Sequence, residues 1–333
     1  MKKIINNPDA FVDEFVEGIL LAHPDKVRTP GDDPRVLVRA DAPSPGRVGI
    51  VTGGGSGHLP LFKGYVGRGL ASGVAIGNVF SSPSSEQIFE ATKAVDGGAG
   101  VLYLYGNYGG DVFNFDLAAD LAEIEGIETT TVLGHDDVAS QPRERAEERR
   151  GVAGIFFAYK AAGAAAERGD NLAAVAAVAE DIGQHTATMG VGLAPTILPT
   201  TGKPSFELND GEMEIGIGIH GEPGIRRGAL ETANEIAEHL TEQILADLEL
   251  ADGDRVAVLV NGLGATPLEE LYVLYRRVHQ ILAERGITVA KRYVGEYATS
   301  LEMAGASVSV LALNDERLAL LEAPAASPFF SEA

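Results

Sequence analysis

Residues 48–58 read Val48-Gly49-Ile50-Val51-Thr52-Gly53-Gly54-Gly55-Ser56-Gly57-His58. A short β-branched run opening into glycines is the pattern of a buried strand and then a tight turn. The pattern returns at Gly100–Tyr105, a second strand, which ends in Gly106-Asn107-Tyr108-Gly109-Gly110-Asp111. Helical spacing resumes from Phe115 to Ile124, and Thr129–Leu133 reads as a third strand. Two Ala-rich helices follow near 154–168 and 171–187, and the spacing of Phe11, Phe15 and Ile19 predicts a helix before Pro24. Strand and helix in alternation predict a largely parallel sheet with helices on its faces.

A second half begins near Gly190. Met213–His220 alternates like a strand, and an amphipathic helix is predicted over about 228–248. Arg255–Val260 is a strand ending in Asn261-Gly262-Leu263-Gly264-Ala265-Thr266. A helix near 267–285 and strands near 288–293 and 307–313 complete it. At 333 residues the chain fits two domains. The expectation is an α/β fold of two α/β domains, 1–187 and 188–333, with mostly parallel or mixed sheets.

Acidic residues outnumber basic ones by 48 to 26, a net charge of −22. Such a surface repels nucleic acid and anionic membranes, so neither is expected as a partner. Zero cysteines remove thiolate chemistry and disulfides. The start lacks the apolar core of a signal peptide, and no apolar run approaches ~20 residues, so a soluble cytoplasmic protein is expected.

Ligands of open α/β sheets bind beyond the carboxyl ends of strands. Three polar turns occupy such ends, at 53–58, 106–111 and 216–224. The first is a tight turn or a cradle whose amides hold ligand oxygens. It is neither a P-loop nor a dinucleotide fingerprint, so no nucleotide is expected on this chain. Asp111 is a helix N-cap or a general base. His220 lies in Ile215-Gly216-Ile217-Gly218-Ile219-His220-Gly221-Glu222-Pro223-Gly224, where small residues leave room for a ligand. The remaining histidines form no metal-ligating pattern, and His135 reads as a turn or subunit contact.

Taken together, the turns GGGSGH (53–58), NYGGDVFNF (107–115) and GIHGEPG (218–224) resemble the K subunit of the dihydroxyacetone kinase family. GNVFSSP (77–83), DDVA (136–139), RGVAG (150–154), KAAGAAA (160–166) and NGLGATPL (261–268) continue the resemblance in the same order over almost the whole chain. The resemblance implies that His220 holds a short ketose as a hemiaminal. Imidazole adds to a carbonyl but has no second proton to lose, so the adduct stops short of a Schiff base. The bond selects carbonyl compounds over polyols such as glycerol and weakens at acid pH. The resemblance further implies that Asp111 takes the proton of the attacking hydroxyl and that His58 orients the substrate. Gly55, Ser56 and Gly57 then contact it through their backbone, and Gly106 occupies a substrate-contact position.

Two positions depart from the family pattern. Leu59 stands where Glu is usual, and Gly106 where a lysine is typical, which points to a ketose other than plain dihydroxyacetone, such as erythrulose or a branched ketose. The resemblance implies no cofactor or metal on this chain. ATP or ADP with Mg belongs on a separate L subunit, recharged in some systems by a phosphotransferase-system carrier, and K subunits are usually homodimers. The alternative is a non-catalytic ketose-binding regulator. A sugar-phosphate aldolase or isomerase fits less well, since only a carboxylate base is at hand.

Overall fold

The computed structural model describes residues 2–333. Its helices are α1 (Phe11–Ala22), α2 (Ser85–Val95), α3 (Gly109–Ile124), α4 (Ile155–Arg168), α5 (Leu172–Gln184), α6 (Ala233–Leu248), α7 (Leu268–Glu284) and α8 (Asp315–Glu322). The first sheet uses β1 (Val27–Arg28), β2 (Val36–Arg39), β3 (Gly49–Ser56), β4 (Gly73–Val79), β5 (Val101–Gly106) and β6 (Thr129–Gly134). Its order is β1-β2-β4-β3-β5-β6. The run from β4 to β6 is parallel, and β1 and β2 join antiparallel at one edge.

The second sheet uses β7 (Thr186–Ala194), β8 (Glu212–Ile215), β9 (Arg226–Ala229), β10 (Arg255–Gly262), β11 (Thr288–Gly295) and β12 (Ala304–Leu313). Its order is β11-β10-β12-β7-β8-β9, and β10–β11 is parallel while the other pairs are antiparallel. A small ribbon, β13 (Ala325–Ala326) with β14 (Ser331–Glu332), follows. The α/β class with mixed sheets stands.

Each sheet buries both faces. Helices α2 and α3 cover one face of the first sheet, with Ile88, Ala91 and Phe115 against Val51, Val101 and Tyr103. Helices α6 and α7 cover one face of the second, with Leu240, Ile244 and Val278 against Val258 and Val308. The inner faces share one core: Leu102 and Leu104 from the first sheet, Ala257 and Leu259 from the second, and the α4 and α5 side chains between them. Sheet membership changes between β6 and β7, but this core does not divide there. No described helix is long and apolar enough to cross a membrane.

Several boundaries differ from the sequence reading. Gly53–Ser56 are not a turn: they extend β3, pairing in parallel with Ala75–Val79. Alternation over 213–220 ends as a strand at Ile215, because Gly216 adopts a φ of 82°. The predicted helix at 228 begins at Ala233, where Thr232 and Glu235 form a capping box, and Arg226–Ala229 pair with β8 instead.

Candidate active site

Gly57, with a φ of 111°, turns the chain out of the first sheet, and His58 follows. The His58 ring is fully buried. Its Nδ1 lies 2.8 Å from the Thr299 carbonyl, which can only accept, so Nδ1 carries the proton. Nε2 therefore holds the lone pair, and it has no hydrogen-bond partner among the described residues. Burial holds the imidazole well below its usual range, and the neighbouring His220 adds to this. Phe80 stacks on the ring at 5.0 Å and 18°. It sits just past β4 at a φ of 54°, a strained conformation for a bulky residue.

His220 comes from the second sheet, in the loop after β8. Its ring stands nearly perpendicular to His58, with centroids 4.7 Å apart, and also meets Phe80 at 5.2 Å and Tyr108 at 4.8 Å. Nδ1 lies 2.8 Å from Glu222 Oε1, and the His220 backbone N–H donates to Glu222 Oε2 at 2.9 Å. Burial alone would raise the Glu222 carboxyl. The bond to His220 and the charge of Arg150 overcome this and hold it at about 2. An ionised Glu222 keeps the proton on Nδ1 and leaves Nε2 as the lone-pair nitrogen. Arg150, 3.9 Å from Glu222, is itself fixed by a 2.9 Å bond to Asp137.

Asp111 lies in the first turn of α3. It is not the N-cap: Tyr108 holds that position, without a side-chain cap. Asp111 is 5% exposed, and its Oδ1 has no hydrogen-bond partner among the described residues. Burial pushes the carboxyl up to about 6, against opposing pulls from Ser82 and His220. Such a group suits a general base near neutral pH.

The other expected contacts are placed as follows. Ser56 commits its hydroxyl to the Gly77 carbonyl at 2.8 Å. A Cβ at Gly55 would lie 2.7 Å from the Ser81 nitrogen, and one at Gly57 2.7 Å from the Phe80 ring. Those glycines thus let the Phe80 segment close over β3. A Cβ at Gly106 would stand 3.2 Å from the Tyr108 ring. Leu59 lines a separate cavity with Phe11 and Phe15. His135 borders a cavity with Arg149 and His185.

The sequence reading gave no role to Phe80, Glu222, Arg150 or Thr299. The first three lie inside quoted motifs, GNVFSSP, GIHGEPG and RGVAG. Thr299 has no local signal and is found only because the second half folds over His58.

Residues 17–329 match the family model of the Dak1 domain. The chain belongs to the Dak1 family. It is 48% identical over 318 residues to the dihydroxyacetone-binding subunit DhaK of PTS-dependent dihydroxyacetone kinase 1 from Listeria innocua, covering 95% of this chain and 96% of that protein. It is 44% identical to L-erythrulose kinase of Pectobacterium atrosepticum, covering 99% of this chain but 56% of that longer protein. Among solved structures, the dihydroxyacetone kinase operon co-activator Dha-DhaQ superposes with a TM-score of 0.88 at 33% identity, covering 96% of this chain and 98% of that one. The family read from the three turns is borne out. A co-activator superposes this closely, so the fold alone does not fix the activity.

Proposed function

We propose that this chain is the substrate-holding subunit of a ketose kinase, with His220 as the covalent anchor. The observation that carries the reading is the pair of perpendicular histidines, with the His220 Nδ1 tied to Glu222 and its Nε2 left nucleophilic. Nε2 attacks the carbonyl carbon and a C–N bond forms. The carbonyl π pair moves to oxygen, which takes up a proton from solvent, while Glu222 shares the Nδ1 proton and disperses the imidazolium charge. No water leaves, so the adduct has the mass of the whole ketose.

His58, neutral and with a free Nε2 lone pair, accepts a hydrogen bond from a substrate hydroxyl and orients it. The backbone of Gly55–Gly57 supplies amides to substrate oxygens, and Gly106 borders the bound ketose. Asp111 takes the proton of the terminal hydroxyl as that oxygen attacks phosphorus in line. The phosphoryl group comes from a separate nucleotide-binding subunit carrying ATP or ADP with Mg, and this chain holds neither nucleotide nor metal. The relatives' names support a phosphotransferase-system carrier as the ultimate donor and dihydroxyacetone or erythrulose as the ketose. A homodimer in the cytoplasm completes the reading.

Intact-mass measurement with dihydroxyacetone and erythrulose tests the anchor. Wild type is expected to gain the full ketose mass, and His220→Asn none; an adduct retained by His220→Asn sinks the assignment. The regulator alternative predicts the same adduct but no phosphate transfer with a cognate nucleotide-binding subunit. Retention of Asp111, buried and poised, favours the kinase.

A further inference from the structure

On the far side of the His58 turn lies a cavity of about 490 Å³. Gly57, Leu59 and Thr299 line it, and the same segments fix His58, through the Thr299 carbonyl on Nδ1 and the Thr299 hydroxyl donating to the Leu59 carbonyl at 2.9 Å. Its walls are mainly apolar: Phe11, Phe15 and Ile19 from α1, with Leu59 and Leu301. Yet Lys2, Lys3 and Lys63 also line it, three of the eight lysines in a strongly acidic chain. Lys3 pairs with Glu302 and Lys2 is exposed.

Lys63 is the anomaly. It is 3% exposed and makes no ion pair or hydrogen bond through Nζ among the described residues; its ammonium faces the Phe15 ring at 5.1 Å. A cation–π contact offsets only part of what is lost on desolvating an ammonium. Burial accordingly lowers Lys63 to about 7, with Arg35 adding to it. An anion in the cavity would supply the counter-charge that the described residues do not.

We propose that this cavity is a binding site for an amphipathic monocarboxylate, a medium-chain acyl acid whose carboxylate pairs with Lys63 and whose tail lies along Phe11, Phe15, Ile19 and Leu301. One buried cation matches one negative charge. The volume is that of a small-molecule site with few polar groups among apolar walls. A phosphate dianion would bring more charge than Lys63 neutralises and no apolar part to cover the walls. The site is distinct from the ketose site and stands whether or not that assignment holds.

Calorimetric titration of the full chain with octanoate tests it, with octanol as the uncharged probe of equal length. Wild type is expected to bind octanoate at submillimolar concentration and at least tenfold more tightly than octanol. Lys63→Met, close in size and apolar, is expected to lose at least tenfold. Leu59→Glu, which adds a carboxylate to the lining, is expected to lose as much, and it serves as an independent reading should Lys63→Met fold poorly. Absent octanoate binding in wild type, equal binding by octanol, or unchanged binding in a folded Lys63→Met or Leu59→Glu would overturn the proposal.

Discussion

At the residue scale, Asp111 pits stability against chemistry. Its carboxyl ionises near 6 in the folded protein, against an ordinary 3.8. Between those pH values the unfolded chain is ionised while the folded one keeps its proton. Stability is therefore lost as pH rises through that window, by up to about 3 kcal/mol above it. Asp111→Asn should melt higher than wild type at pH 8, with the gap closing towards pH 4, while turnover with a cognate phosphoryl-donor subunit falls about 10²–10⁴-fold. Wild-type turnover should itself decline as pH falls through about 6, when the base takes up its proton. Thermal melts at the two pH values and steady-state transfer rates check these outcomes. The motifs put His58 and His220 in turns, as the structure has them, whereas Asp111 lies inside α3 rather than in a turn. The sequence could not show that Glu222 selects the tautomer of His220, since that depends on a loop folding back on itself within two residues.

At the element scale, the loop after β8 and helix α4 make different demands on glycine. A Cβ at Gly218 would lie 2.1 Å from Glu222 Oε2 and 2.6 Å from Arg150. Gly218→Ala should therefore push the carboxylate off His220 and abolish the ketose adduct while circular dichroism stays unchanged. On α4, a Cβ at Gly163 would lie 2.3 Å from the Gly69 carbonyl and 2.4 Å from the Leu70 nitrogen, where backbone cannot give way. Gly163→Ala should cost about 1–3 kcal/mol. By contrast, Gly18→Ala on α1 has open space and should gain roughly 0.5–1 kcal/mol. Paired denaturant titrations distinguish the two signs. Both α4 and α5 were legible from their Ala-rich runs. Strand β4 and helix α2 escaped notice: β4 has only Gly73-Val74-Ala75-Ile76 before polar residues, and the start of α2 depends on the Ser84–Gln87 capping box. Sheet pairing, which carries β3 through three glycines, is a tertiary effect that no local pattern reports.

At the scale of the whole molecule, the core shared by the inner faces of both sheets couples the two halves. Calorimetry should show one cooperative transition, and two resolved transitions would mean the halves separate first. The sequence division at residue 187 falls just inside β7 and cannot register that side chains of α4 and α5 join the core shared by both sheets. The C-terminal segment strengthens the coupling, with the Ser327 hydroxyl donating to Gly64 at 2.7 Å and Lys26 donating to the Ser327 carbonyl at 2.9 Å. The alanines of α4 have a further meaning. Ala161, Ala162 and Ala165 are wholly buried in the layer between the sheets, and His58 hangs from one sheet while His220 hangs from the other. The helix is a shim packed into the core that both sheets share, between the halves that carry the two imidazoles. A single added methylene on that helix would retune the chemistry from a distance, touching neither histidine.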